Sequence, residues 1–163
     1  MNTWLENVLL RLDSQAGSKG NPEACIELVN LYRDNHPLSA LAFGLKAARL
    51  GLDMELGPLQ SAVERLRSSE WTALGCYRLG SELASYPRYL ADTHKAVTYL
   101  KAAANDEDAE CRGVAAFCLA DLLSSLGGNS AECYHYFAVA ESNGFSDILP
   151  PFHKAQHENT GVA

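Results

Sequence analysis

The sequence predicts an all-α fold, a short right-handed solenoid of antiparallel helix pairs. It would hold about three degenerate repeats with capping helices at the ends. Three observations predict it. Nearly every segment carries apolar residues at helical spacing, and no alternating strand pattern flanked by turn signals occurs. Breakers stand between those segments: Pro37, Pro58 and Pro87, and Gly51, Gly127 and Gly144 after apolar runs. Small and aromatic residues then recur in a fixed order, with Leu79 and Leu119 40 residues apart and Tyr99 and Tyr136 37 apart.

Taken in order, helices are predicted over 3–14, 22–34, 38–50, 57–68, 70–85, 91–105, 108–126, 129–143 and 147–157. Asn21-Pro22 opens the second with a capping side chain before a proline at the first helical position. A recurrent pattern locates the pairs. "KAVTYLKAAANDE" gives Ala96, Tyr99, Ala103, Glu107; "ALAFGLKAARLG" gives Ala40, Phe43, Ala47, Gly51; "CYHYFAVAESNG" gives Cys133, Tyr136, Ala140, Gly144. The helices before them align as Leu79, Gly80, Leu83; Leu119, Ala120, Leu123; and Leu28, Val29, Tyr32. Two helices approach closely only where contact positions are small, so Ala47, Ala103 and Ala140 with Gly80 and Ala120 mark the packing seams. Phe43, Tyr99 and Tyr136 fill the grooves between pairs. The acidic run after Ala104 is expected to begin the next helix, where carboxylates favour the N-terminal dipole.

The segments "LGSEL…KAVTYLKAAAND" and "LADLLSSLGGNSAECYHYFAVAESNG" resemble Sel-like repeats, a branch of the tetratricopeptide-type solenoids. The resemblance covers residues 75–144 and extends faintly to 24–51. Loop 84–92, "ASYPRYLAD", departs from it by lacking glycines; Glu141 stands where an alanine is usual; an extra helix at 57–68 separates the first repeat from the second. One domain over 1–158 is expected, with repeats near 24–51, 75–107 and 115–144 and a flexible tail at 159–163. Membership implies protein–protein binding through a concave face lined by the first helices, and does not imply catalysis.

The chain has 163 residues, a net charge of −7 and a pI near 5.1. That argues against nucleic acid or an anionic membrane as the main partner. The imbalance is local: residues 106–163 hold nine acids against Arg112 and Lys154. It reads either as a solvated face aiding solubility or as a surface that attracts a basic partner. No stretch is long enough to span a bilayer, and no basic leader precedes an apolar run. Cys25, Cys76, Cys111, Cys118 and Cys133 form no C-x-x-C pair and read as buried, reduced thiols, which with the missing leader suggests a cytoplasmic protein.

No catalytic signal emerges, and neither an enzyme nor a cofactor is expected. "HKAQH" sets His153 and His157 at a metal-capable i, i+4 spacing, but no glutamate stands between them and the segment borders a polar tail, so a solvated terminal helix is the preferred reading and no metal is expected. Glu132, Glu141 and Asp121 offer carboxylates with no pocket in view. Ser124, Ser125 and Ser130 lack a nucleophile elbow, and "SLGGNS" lacks a phosphate-loop lysine.

Binding candidates are surface residues. Glu27 and Asn30, Arg78 and Glu82, and Cys118 and Asp121 lie between core positions on the first helices and are expected to face the groove. Tyr86, Arg88 and Tyr89, in the departing loop, are of the types that dominate binding hot spots, unless the tyrosines fold back over the helix pair. Asp106, Glu107 and Asp108 are candidates for steering a basic partner. Trp71 is expected to staple a helix start.

The favoured reading is a non-enzymatic binding module, a bacterial immunity protein or effector chaperone that neutralises a basic toxin. A scaffold in a secretion or signalling pathway is the alternative within that class. A helical metal protein or enzyme using His153 and His157 is the alternative outside it.

Overall fold

The computed structural model describes residues 22–127 and 130–144. Among the described residues the chain is all-helical. The helices are α1 (Pro22–Tyr32), α2 (Pro37–Arg49), α3 (Gly57–Glu64), α4 (Ala73–Ser85), α5 (Leu90–Ala104), α6 (Arg112–Ser125) and α7 (Ser130–Ser142), with a 3-10 turn at Ser68–Glu70 before α4. The helices expected at 3–14 and 147–157, the Asn21 cap, and the His153/His157 pair lie outside the described residues.

Local chemistry fixes the ends. Pro37 opens α2 at a position whose N–H has no intrahelical partner. Thr72 caps α4, its hydroxyl accepting from Gly75 N at 3.2 Å. Gly51, Gly127 and Gly144 all adopt positive φ, of +98°, +67° and +91°. At Gly51 the left-handed residue lets Gly51 N donate to Ala48 O and Leu52 N donate to Ala47 O, which satisfies two terminal carbonyls of α2.

Two boundaries differ from expectation. The fourth predicted helix stops at Glu64, and the next starts at Ala73, leaving Trp71 just ahead of the Thr72 cap. Trp71 thus holds the position a staple requires, and its ring packs 5.0 Å from that of Tyr99 on α5. The acidic run does not open α6, which begins only at Arg112. Asp106 Oδ1 accepts from Asp108 N at 3.1 Å, so the carboxylate organises a turn in place of a helical start.

Sequential neighbours pack together: α1 with α2, α2 with α3, α4 with α5, α5 with α6, and α6 with α7. Beyond these, α2 packs on α4 and α4 on α6, and side chains link α5 to α7. One continuous core results, in which Leu28, Leu79, Leu100 and Leu119 are fully buried. The recurrent positions are its skeleton. Ala40, Phe43, Ala47, Ala96, Ala103, Cys133, Tyr136 and Ala140 are buried, as are Leu28, Val29, Tyr32, Leu79, Gly80, Leu83, Leu119, Ala120 and Leu123, while Tyr99 is half-buried. The seam at Gly80 is tight, since a Cβ there would stand 2.9 Å from Leu100 Cγ on α5.

The α2–α4 contact sets the direction of those helices. A Cβ on Gly75 would meet Leu38 Cβ at 2.9 Å; Arg78 reaches Ser39; Arg49 reaches Glu82. Start lies against start and end against end, so α2 and α4 run in the same sense. Along α5 and α7, Lys101 Nζ meets Glu132 Oε1 at 2.6 Å and Tyr136 Oη donates to Asn105 Oδ1 at 3.4 Å.

Candidate functional site

Arg78, Glu82 and Tyr86 stand four residues apart on one face of α4 and its end, so the helix brings them into one row. That row faces α2. Arg78 donates from a terminal nitrogen to the buried Ser39 Oγ at 3.2 Å, and its guanidinium carbon lies 5.1 Å from the Tyr32 ring and 5.4 Å from the Phe43 ring. Those two rings stack on each other at 6.0 Å and 11°. Arg49 Nε donates to Glu82 Oε1 at 3.0 Å, with side chains 28% and 10% exposed respectively. The Arg49 guanidinium also sits 3.7 Å above the Tyr86 ring. Arg78 and Glu82 therefore serve the α2–α4 contact, and do not line an open groove as their spacing on the first helix suggests. A desolvated carboxylate needs its partner, and Arg49 supplies it.

Beyond Tyr86 the chain turns into α5. Asp92, buried in the first turn of α5, accepts from Arg88 N at 3.0 Å and from Tyr89 N at 3.3 Å, both through Oδ2. This carboxylate fixes the loop backbone and answers otherwise orphaned N–H groups. The side chains it carries point outward. Tyr86 is 53% exposed, Tyr89 70% and Leu90 77%. Arg88 lies 5.9 Å from the Tyr89 ring centroid, and its Nε is 4.0 Å from Asp92 Oδ2. Tyr89 does not cover the helix pair, and Tyr86 is partly engaged through Arg49.

The remaining candidates are spread out. Glu27 and Asn30 are exposed on α1, and Asp121 is exposed on α6. Asp106, Glu107, Asp108 and Glu110 are all exposed or nearly so in the α5–α6 turn, where no ion pair joins them to another described residue. Arg112 beside them is otherwise occupied, its Nε donating to Ala104 O at 3.0 Å at the end of α5. Glu132 is held by Lys101, which raises the lysine pKa through their hydrogen bond.

The five thiols are free, Cys25, Cys76 and Cys133 buried, Cys111 and Cys118 half-buried. Burial raises all five pKa values, Cys76 to about 12 and Cys118 to about 11. Such thiols are poor nucleophiles near neutral pH. Among the described residues no group of three His, Cys, Asp or Glu is placed to hold a metal, and no helix is long and apolar enough to cross a membrane.

Sequence reasoning misses three contributors: Arg49, Asp92 and Leu90. Asp92 has a signal, an acid three residues after the residue that caps α5. Arg49 has none, because its partner is 33 residues away. Comparison with protein-family models, with characterised proteins and with solved structures finds no match to this chain.

Proposed function

We propose that the chain is a non-enzymatic protein–protein interaction module of the Sel-like, tetratricopeptide-type kind, acting as a bacterial immunity protein or effector chaperone on a basic toxin. In this reading α4–α5 and α6–α7 are stacked antiparallel pairs. The Lys101–Glu132 and Asn105–Tyr136 contacts support such a stack, since they join the end of one second helix to the start of the next with both running in the same sense. Because α2 runs along α4 in the same sense, α2 takes the place of a first helix and α3 that of a short second one. The first pair is then α2–α3 with α1 as its cap, which departs from the α1–α2 repeat expected over 24–51.

One observation carries the charge of the partner. Asp106, Glu107, Asp108 and Glu110 stand exposed on a single turn, without an ion pair among the described residues. Unneutralised charge of one sign draws an oppositely charged protein and speeds its encounter. Affinity capture of the tagged full chain from its native cells at low salt, with mass spectrometry, tests this reading. The expected result is one basic protein in stoichiometric amount. A stoichiometric acidic partner, or a component of a larger secretion or signalling assembly, would replace it with the scaffold reading.

A further inference from the structure

The α4–α5 turn presents a second surface of different chemistry. Tyr86, Tyr89 and Leu90 are exposed together within five residues, whereas Leu31, Leu74 and Leu126 are exposed singly on other elements. Contiguous exposed apolar side chains mark contact sites where isolated ones do not. Here they stand beside two arginines, Arg88 in the turn itself and Arg49 at the end of α2, over the Tyr86 ring.

The charge of those arginines selects the partner. Arg88 makes no side-chain hydrogen bond among the described residues, and at 4.0 Å its Nε is beyond hydrogen-bond reach of Asp92. Asp92 cannot turn outward to satisfy it, because Oδ2 already accepts from two backbone N–H groups and the side chain is buried. Arg49 has given its Nε–H to Glu82 and rests on the Tyr86 ring, which leaves its terminal nitrogens without a hydrogen bond among the described residues, on a side chain that is 28% exposed. A guanidinium stacked on an aromatic ring keeps its in-plane donors, and their fork matches a carboxylate. The backbone under them is held by Asp92 before any partner arrives, which lowers the ordering cost of binding.

We infer that Arg49, Tyr86, Arg88, Tyr89 and Leu90 form a docking site for a partner segment that presents a carboxylate beside an apolar side chain. The carboxylate takes the Arg88 fork, whose donors make no hydrogen bond among the described residues and meet only the 4.0 Å ion pair to Asp92, and the apolar group covers Leu90 and the Tyr89 ring. This inference rests on the reading of the chain as an interaction module, and it is independent of the partner charge assigned to the α5–α6 turn.

Three short fluorescent peptides test it with the full chain: alternating Asp and Leu, the same with Asn for Asp, and the same with Lys for Asp. Fluorescence anisotropy gives the affinities, and amide shifts of the isotope-labelled protein locate the site. The Asp–Leu peptide should bind and shift Tyr89 and Leu90. Its Asn counterpart should bind at least about tenfold more weakly, since hydrogen bonds to charged groups are the stronger ones. Arg88→Ala should lose roughly tenfold, and Arg88→Lys should recover only part of it because the ammonium has no fork. Leu90→Ala, on a side chain that is mostly solvent-exposed, gives an independent loss without disturbing the core. Equal affinity for the Asp and Asn peptides, or binding unaffected by Arg88→Ala and Leu90→Ala, would overturn the site. Binding of the Lys peptide alone would also overturn it while leaving a basic partner for the module intact. No binding of any peptide would overturn the site as well, and the native-cell capture judges the module reading separately.

Discussion

Gly44 and Gly80 each lie inside a helix, and each would place a new methyl 2.9 Å from a neighbour. Their alanine variants should nevertheless move stability in different directions. Alanine is favoured over glycine in a helix interior by about 0.8–1 kcal/mol. At Gly44 the methyl meets Leu56 Cδ2, Leu59 Cδ1 and Met54 Sδ. These are ends of side chains that can swing by a few tenths of an ångström, so most of the helix gain survives. At Gly80 it meets Leu100 Cγ at 2.9 Å, with Leu100 Cδ2 and N both at 3.2 Å. The Cγ is a branch point on a fully buried residue, and the nitrogen belongs to the α5 backbone. Relief requires α4 to move off α5. Because backbone must move, the cost lies in the upper half of the usual overpacking range, about 2–3 kcal/mol, which the helix gain only partly offsets, leaving a net loss of about 1–2 kcal/mol. In a chain of this size 1 kcal/mol shifts the melting midpoint by about 2–4 °C. Thermal unfolding followed by circular dichroism should show Gly80→Ala lower by about 2–8 °C, and Gly44→Ala unchanged or higher by up to about 4 °C. A neutral or stabilising Gly80→Ala, or equal shifts for both, would refute the claim that α4 and α5 meet backbone to side chain at this seam.

Arg49→Ala should destabilise by about 1–3 kcal/mol in urea unfolding, because it strands the Glu82 carboxylate in a largely desolvated position. Arg49→Ala together with Glu82→Leu should recover part of that loss, and no recovery would show the cost lies elsewhere. Thiol labelling of the native protein at pH 9 should be slow at Cys76, whose pKa is raised to about 12 by burial, and should rise on unfolding; rapid native labelling would contradict the packing of α4. Glu132 raises the Lys101 pKa above the ordinary 10.5, so the pair stabilises fully below that value and loses its contribution as pH rises through the folded-state pKa. Both side chains are more than a third exposed or nearly so, which limits the effect to about 0.2–1 kcal/mol. Glu132→Gln should therefore remove a small alkaline loss of stability above about pH 10.5, seen as converging urea midpoints of the two proteins.

Local features are legible in the sequence, and long-range ones are hidden. Helical periodicity locates α1 through α7, and the glycines at 51, 127 and 144 mark three left-handed ends, because both signals are complete within a few residues. The buried alanines are readable for the same reason, since a small residue recurring at helical spacing marks where a neighbouring helix comes close. The start of α6 is ambiguous because carboxylates suit a helix N-terminus and an Asx-type turn equally, and Asp106 takes the turn. Helical spacing puts Arg78 and Glu82 on one face of α4, but which element that face meets depends on α2. The contacts that decide it join residues 39 and 33 positions apart, beyond any local pattern. Tyr89 and Leu90 cannot be placed from sequence because their exposure depends on how Asp92 ties the loop down.

The most direct test of the proposed steering of a basic protein by the α5–α6 turn is an association rate. It is measured for the captured partner with the wild-type chain and with Asp106, Glu107 and Asp108 all reversed to lysine, at two salt concentrations. The three residues are exposed in a turn, outside both flanking helices, so the reversal removes the Asp106–Asp108 turn bond but no helical one, and circular dichroism should show the helix content unchanged. Rim charges act on encounter and are screened beyond about 8 Å at physiological salt. Association should be fast and salt-sensitive for the wild type, slower and less salt-sensitive for the reversed chain, with similar dissociation rates. An association rate that ignores both salt and the triple reversal would contradict the steering role and make the acidic turn a solubility feature.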